Sequence, residues 1–257
     1  MKPAPLIDFH HIRIGTPGKP CVVFGHGWGR THRDFIPVAE ALAPSIDGYL
    51  FDFPGFGQSP RPSEPWGTAK YAEAMARHLL DQCGIQQCTF VGHSFGGRVG
   101  LRLGARAPGL VRRLVIVAGA GVPRVLPWQE RLRRKQRSMR FQRLKAKATT
   151  PEALLALEQQ YGSADYVASR EAGMRDIFVA TIAEDQTDQL GRISVPTALI
   201  YGALDTETPP QIGRSIAAGI SGAEYIECPF LDHLSILDRG RHQIALAIKE
   251  GLGEHAA

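Results

Sequence analysis

Residues 88–98 read CTFVGHSFGGR, the strongest structural signal in the sequence. An apolar, strand-like run leads into the pattern Gly-x-Ser-x-Gly, with glycines at positions 92 and 96 around Ser94, and a helix-like segment follows. Because only small neighbours fit a tight turn from strand to helix, the spacing predicts that Ser94 lies on such a turn, with its hydroxyl above the sheet. The turn also places Ser94 at a helix N-terminus, where anionic intermediates are favoured. The pattern therefore predicts a nucleophilic serine.

Short β-branched and aromatic runs alternate with helix-like stretches along the chain. The later runs are continuously apolar, as in parallel strands buried on both faces, whereas the first is expected to form antiparallel edge strands. This alternation predicts an α/β fold with a largely parallel, doubly wound sheet. Strands are predicted over residues 6–14, 21–24, 48–53, 88–92, 113–117, 197–201 and 223–227. Helices are predicted over residues 68–82, 94–107, 209–220 and 241–252.

The alternation is interrupted once, between about residues 121 and 189, where the sequence reads as helix without a strand. Thr150 and Pro151 form a good helix start within it, since threonine caps helices and proline suits the first helical position. We therefore predict a core domain built from residues 1–120 and 190–257, with residues 121–189 as a helical insertion.

Two upstream motifs join the serine turn in a resemblance to the α/β-hydrolase superfamily that covers essentially the whole chain. FGHGWG at 24–29 resembles the family's His-Gly loop, and FDFPGFGQS at 51–59 resembles the turn after its next strand. The resemblance implies a mostly parallel sheet of the eight-stranded type, a helical cap over the active site, and an oxyanion hole from the backbone N–H groups of Trp28 and Phe95. Loss of one such donor typically costs about 3–4 kcal/mol. His26 is expected to brace its loop, because a triad uses one histidine.

A serine nucleophile needs a base, and the base needs an acid to orient it. In this fold the chain order is serine, acid, histidine. Asp205 follows a predicted strand, at the edge where open parallel sheets bind ligands, and Glu207 is its nearest rival. His233 lies in the loop after the last predicted strand and is expected to be the base.

The residue before His233 departs from the family pattern. Asp232 stands where the family usually has glycine, and its carboxylate is expected to perturb the base. The other histidines are assigned elsewhere: we expect His93 to point away from the site, and we place His32 and His78 on surface helices.

Composition narrows the class of protein. The chain has 257 residues, 44% hydrophobic and 21% charged, which is ordinary globular usage. Its longest apolar and glycine run, residues 114–122, is too short to cross a bilayer, and no secretory signal is visible, so we expect a cytoplasmic protein that binds no membrane. The four cysteines have no metal-ligand spacing, so they are expected to be small buried side chains. We expect neither a metal nor an organic cofactor.

The charge is unevenly distributed. Residues 124–147 contain ten basic residues and one acid, a net charge of +9, which leaves −4 for the rest of a +5 chain. Such a block is either a solvated helix face or a site that captures an anionic substrate or an acidic carrier protein. Nucleic acid is not expected as a partner, because the block lacks a recognisable reading motif and interleaved aromatic residues.

These features together predict a serine hydrolase that cleaves small carboxylic esters through an acyl-enzyme. The motifs are also similar, more weakly, to esterases that cleave pimeloyl-carrier-protein methyl ester, which implies carrier-protein-linked or CoA-linked acyl methyl esters or thioesters as an alternative. A cofactor-free perhydrolase or an acyltransferase would use the same triad. A dehalogenase or an epoxide hydrolase would need aspartate in place of Ser94, and a binding protein on this fold normally lacks triad members.

Overall fold

A single sheet forms the centre of the computed structural model, which describes residues 7–252. Seven strands lie in the order β1-β3-β2-β4-β5-β6-β7. β1 is antiparallel to β3 at one edge, and the other neighbouring pairs are parallel. The strands are β1 His11–Gly15, β2 Cys21–Gly25, β3 Asp47–Phe51, β4 Cys88–His93, β5 Val111–Val117, β6 Thr197–Gly202 and β7 Glu224–Cys228.

The largely parallel α/β sheet is therefore confirmed, but the expected eight-stranded type is wrong for the described residues, which form seven strands. The reason lies in the segment predicted over 6–14, which contributes one short edge strand that begins at residue 11. Leu6, the first residue of that predicted strand, lies outside the described residues.

Helices cover both faces of the sheet. They are α1 Ile36–Leu42, α2 Thr68–Asp81, α3 Phe95–Arg106, α4 Trp128–Lys147, α5 Pro151–Tyr161, α6 Ala164–Glu171, α7 Arg175–Ile182, α8 Pro210–Gly219, α9 Ser235–Asp238 and α10 Arg241–Glu250, with 3-10 helices at His32–Phe35 and Thr187–Arg192. None of the helices within residues 7–252 combines the length and hydropathy of a membrane span.

Side chains alternate between two apolar cores, one on each face of the sheet. On β4, Phe90 packs in the core shared with α2, α3 and α8, whereas Val91 packs in the core shared with α1 and α10. Both side chains are fully buried, as the continuous apolar pattern predicts for a central parallel strand. α3 packs closely on the sheet at Gly100, where an added Cβ would lie 2.9 Å from the Phe90 ring. This packing fixes the N-terminus of α3 at the edge where the strands end.

Four helices, α4 to α7, lie between β5 and β6. Thr150 caps α5 as predicted, since its hydroxyl accepts a hydrogen bond from Ala153 N at 3.2 Å. The buried carboxylate of Glu158 joins three of these helices, because it accepts hydrogen bonds from both Arg170 and Arg175 at 2.7–3.1 Å. The helical run is as expected. The division into a core domain and an inserted domain stays a prediction.

Candidate active site

The turn at Ser94 joins β4 to α3 in a strained backbone conformation, with φ 49° and ψ −105°. Glycine is needed on both sides of it. A Cβ at Gly92 would overlap the backbone of Gly96, and a Cβ at Gly96 would overlap the carbonyl oxygen of Gly25. The turn is fixed by two backbone hydrogen bonds, from Ser94 N to Val117 O and from Gly96 N to the carbonyl of His26, both 3.0 Å. Ser94 is only half-buried, so its hydroxyl is accessible from one side.

His26 braces the loop after β2, as the sequence predicts. It is fully buried, its Nε2 accepts a hydrogen bond from Phe53 N at 2.9 Å, and its Nδ1 donates to Gly27 O at 2.7 Å. Burial lowers the pKa of His26 to about 4, so the imidazole is neutral at pH 7. The loop that it braces carries Trp28.

The turn after β3 is organised around Asp52, which is fully buried. Its carboxylate accepts hydrogen bonds from His32 N at 2.7 Å, His32 Nδ1 at 2.9 Å and Gln58 N at 3.0 Å. The predicted surface position of His32 is therefore wrong, because the ring turns inward to this carboxylate. His78 is also buried, at 4% exposure, since its ring packs on Phe9 and Phe51.

Asp205 and His233 meet at the ends of β6 and β7. His233 Nδ1 lies 2.7 Å from Asp205 Oδ2, and both side chains are buried. The other oxygen, Oδ1, accepts hydrogen bonds from the amides of Glu207 and Thr208, both at 2.8 Å. The Thr208 hydroxyl lies 2.8 Å from Asp205 Oδ2 and 3.1 Å from His233 Nδ1. It also lies 2.9 Å from Ala118 O, so Thr208 connects this pair to the end of β5.

The two other carboxylates near His233 have different positions. Glu207, the predicted rival of Asp205, lies on the opposite side of the ring, 3.6 Å from His233 Nε2, with its side chain 60% exposed. Asp232 accepts hydrogen bonds from the amides of Leu234 and Ser235, at 3.1 and 2.8 Å. Those bonds lower the pKa of Asp232. The Asp232 carboxylate thus holds the backbone of the two residues that follow His233.

His93 occupies a place that the sequence interpretation missed. It was expected to point away from the site, but it is 1% exposed and lies behind His233. Its Nε2 donates to His233 O at 2.9 Å, and the two ring centroids are 4.8 Å apart. Its Nδ1 is buried without a hydrogen-bond partner among residues 7–252. Burial and the neighbouring His233 lower the pKa of His93 to about 3.

Ser94 and His233 line one cavity of about 420 Å³, together with Trp28 and Phe95. Six further lining residues come from the helical segment between β5 and β6: Ser163, Ala164, Asp165, Phe178, Thr181 and Ile182. Arg98 lines the same cavity and donates to Thr181 O at 3.1 Å.

The apolar residues of the helical segment could not be sorted from the sequence, and the structure separates them. Phe178 lines the cavity and Ile177 is buried in the core beneath it. Trp128, Leu132 and Met139 on α4 are 46–70% exposed, and no residue of α4 is buried. The pocket therefore depends on α6 and α7 rather than on α4.

Comparisons with known proteins agree with this architecture. A family model described as the alpha/beta hydrolase fold matches residues 20–239. The chain is 30% identical over 243 residues to the pimeloyl-[acyl-carrier protein] methyl ester esterase of Chromobacterium violaceum, with 88% of this chain and 92% of that one covered. The chain therefore belongs to the α/β-hydrolase family.

Two solved structures illustrate the likeness. The enol-lactonase from Burkholderia xenovorans LB400 superposes with a TM-score of 0.69 at 26% identity, covering 96% of this chain and 97% of that one. A hydrolase from Pseudomonas aeruginosa PA01 has a TM-score of 0.71 at 24% identity, covering 96% and 98%, and shares the fold. The family match, the esterase relative and the lactonase together support a hydrolase.

The buried histidines predict how stability depends on pH. In the unfolded chain His93 and His26 titrate near 6.5, whereas in the folded chain their pKa values are about 3 and about 4. Below pH 6.5 the unfolded chain therefore takes up protons that the folded chain does not, and the free energy of unfolding falls as the pH drops from 6.5 towards 3. His93→Gln is expected to make this fall shallower, by up to about 1.4 kcal/mol per pH unit.

The measurement is urea unfolding at a series of pH values between 7 and about 4. His242→Gln, an exposed substitution on α10, is the matched control and is expected to keep the wild-type slope. Equal slopes for His93→Gln and wild type would show that His93 takes up its proton in the folded chain as readily as in the unfolded one.

Proposed function

We propose that this chain is a serine hydrolase that cleaves carboxylic esters, with Ser94 as the nucleophile, His233 as the base and Asp205 as the acid that orients it. The observation that carries the proposal is the 2.7 Å contact between His233 Nδ1 and Asp205 Oδ2. It leaves Nε2 for the serine, and His233 lines the same cavity as Ser94. A carboxylate at Nδ1 holds the imidazole in the tautomer that accepts a proton at Nε2.

The proposed reaction has two halves. Ser94 Oγ attacks the ester carbonyl carbon while His233 Nε2 takes the hydroxyl proton, and the tetrahedral intermediate then expels the alcohol, which receives that proton. Water attacks the resulting acyl-enzyme, gives a proton to Nε2, and Ser94 leaves with that proton as the carboxylic acid is released. The sum is ester plus water to acid plus alcohol, and no metal or organic cofactor enters these steps.

The N–H groups of Trp28 and Phe95 are the proposed donors to the intermediate's oxygen. Phe95 is the first residue of α3, and the amides of a helix's first turn have no acceptor within the helix. Trp28 lies on the loop braced by His26, and the Trp28 and Phe95 rings pack edge to face at 5.6 Å. Both residues line the same cavity as Ser94, which supports their amides as the donors to the reacting carbonyl oxygen.

The substrate proposed from the cavity is a small ester. Trp28, Phe95, Phe178 and Ile182 offer an apolar wall for its acyl or alcohol group. A perhydrolase or an acyltransferase would use the same residues, and parallel assays of hydrolysis, perhydrolysis and acyl transfer distinguish these reactions. The cytoplasmic location expected from the sequence stays a prediction.

Replacing the nucleophile tests the proposal first. Ser94→Ala is expected to reduce hydrolysis of p-nitrophenyl acetate to background and to abolish labelling by a fluorophosphonate probe, because the attacking oxygen is gone. Mass spectrometry of the labelled wild-type chain is expected to find one adduct, at Ser94. Stoichiometric labelling of the Ser94→Ala chain at another serine would contradict the assignment.

The two carboxylates beside His233 provide a matched pair of variants. Asp205→Asn is expected to lower kcat by about 10⁴-fold, because the amide no longer fixes the imidazole tautomer. Glu207→Gln is expected to stay within a few-fold of wild type, since Glu207 contacts the other ring nitrogen at 3.6 Å and is largely exposed. Steady-state kinetics on one neutral ester compare the two, and the reverse ranking would move the acid role to Glu207.

A second candidate substrate is an ester carried on an acidic protein. α4 carries nine basic residues and one acid, and none of its side chains is buried. A groove of about 470 Å³ beside it is lined by Arg133, Arg137, Arg140 and three uncharged residues. The Chromobacterium violaceum relative is named for an acyl-carrier-protein ester, so an acidic carrier at this groove is the specific form of the hypothesis.

Salt dependence tests this second candidate. Attraction between exposed charges is screened beyond about 8 Å at physiological ionic strength. We therefore expect kcat/KM on an anionic or carrier-linked ester to fall steeply as salt rises, mainly through slower association, while kcat/KM on a neutral short-chain ester barely changes. The double variant Arg133→Gln, Arg140→Gln is expected to show the high-salt behaviour at low salt.

The control variant carries the same change in net charge at the other end of the sheet. Lys19→Gln with Arg106→Gln removes two exposed cations, one before β2 and one at the end of α3, and is expected to behave as wild type. If neutral and anionic esters showed the same salt dependence, or if the two double variants had equal effects, the basic residues of α4 would be only a solvated helix face.

A further inference from the structure

Three potential metal ligands lie together between the edge strand β1 and the end of α2. They are His11 on β1, His78 on α2 and Cys83 just after α2. Their ligand atoms all lie within 4.8 Å of one another. None of the three lines the cavity around Ser94, so the proposed ester hydrolysis does not account for them.

His78 has an unused buried nitrogen at this place. Its side chain is 4% exposed, and its Nε2 has no hydrogen-bond partner among residues 7–252. Buried polar atoms in folded proteins are nearly always paired, so an unpaired one points to a ligand, a water molecule or an ion.

His11 is prepared as a ligand by its neighbours. Its Nδ1 lies 3.3 Å from Phe9 O, and because a carbonyl only accepts, Nδ1 is the donor and Nε2 keeps a free lone pair. Metal-binding histidines typically donate their other ring N–H to a carbonyl or a carboxylate. Aromatic packing holds both rings, with His11 at 4.8 Å from Phe51 and His78 at 5.0 Å from Phe9 between ring centroids.

A nearby charge suits a cation. The carboxylate of Asp8 is close enough to His78 and Cys83 to act on both electrostatically, which places a negative charge near the cluster.

We propose that His11, His78 and Cys83 bind a zinc ion that ties β1 to α2. Two imidazoles and a thiolate are ligands typical of Zn²⁺, with water as the fourth. Tetrahedral bonds of about 2.0–2.3 Å place ligand atoms about 3.3–3.6 Å apart, so small side-chain rotations bring the cluster to binding distance. Binding exchanges the thiol S–H bond for a zinc–sulfur bond, and the proton goes to water. The site is independent of the proposed ester hydrolysis.

The neighbouring cluster of His10, His32 and Asp52 does not qualify in the same way. The Asp52 carboxylate there already accepts hydrogen bonds from the backbone and side chain of His32 and from Gln58 N. A metal would have to break this buried set, whereas at His78 it would satisfy an atom that has no partner.

The test is a titration of the full chain, stripped of metal by a chelator and kept reduced, with Zn²⁺ and with Co²⁺ as a spectroscopic probe. We expect one equivalent of Zn²⁺ per chain, a rise in Tm, and a thiolate-to-cobalt charge-transfer band in the near ultraviolet. Cys83→Ser is expected to remove the band, and His78→Gln is expected to weaken Zn²⁺ binding by about tenfold or more.

Cys21→Ser and His10→Gln are the matched controls, because they remove the same residue types nearby but outside the cluster. Both are expected to keep the stoichiometry and the cobalt band, and circular dichroism checks that each variant is folded. Absence of stoichiometric binding in the wild-type chain would overturn the proposal. So would equal binding by wild type and Cys83→Ser, or loss of the band in Cys21→Ser with the band retained in Cys83→Ser.

Discussion

The structure depends on the strained turn at Ser94. A non-glycine residue held at φ 49° costs about 1–3 kcal/mol, and it persists only where its surroundings fix it. Here they do so from two directions, through the hydrogen bond to Val117 on β5 and through the contact of Gly96 with the loop after β2. The contacts of this one turn thus fix the relative positions of the adjacent strands β2, β4 and β5 and of α3. The cavity lies where those strands end.

The chain order of the fold, together with the positions just after two predicted strands, pointed to Asp205 and His233 in the sequence, and the structure brings these two residues together. Thr208 was missed because its contact to Ala118 O spans ninety residues, although a threonine three residues after an aspartate is a recognisable turn pattern. His78 was misplaced, yet its spacing from Tyr71 and Met75 puts it on the buried face of α2, and this signal could have corrected the assignment. The proposed zinc ligands come from two separate segments, so cysteine spacing could not reveal them.

The helical segment between β5 and β6 is held by polar contacts as well as by apolar packing of Met174 and Ile177 in the core. The clamp of Arg170 and Arg175 on Glu158 lowers the pKa of that buried carboxylate to about 2. On the sheet side, Glu184 forms an ion pair with Arg102 at 3.2 Å. α4 carries exposed charge and has no buried residue. Its apolar residues are therefore not pocket residues, although the sequence could not distinguish them from those that are. The helices that line the cavity, α6 and α7, and the basic helix α4 are therefore different parts of one segment.

We propose that Ser94, His233 and the amides of Trp28 and Phe95 act on one carbonyl group. A crystal structure of the chain inactivated by a small alkyl fluorophosphonate tests this arrangement, because the tetrahedral phosphorus mimics the intermediate. We expect a covalent bond from Ser94 Oγ to phosphorus, with the phosphonyl oxygen about 2.7–3.1 Å from the N atoms of Trp28 and Phe95. An adduct whose oxygen contacts neither amide, or one formed on another residue, would contradict it.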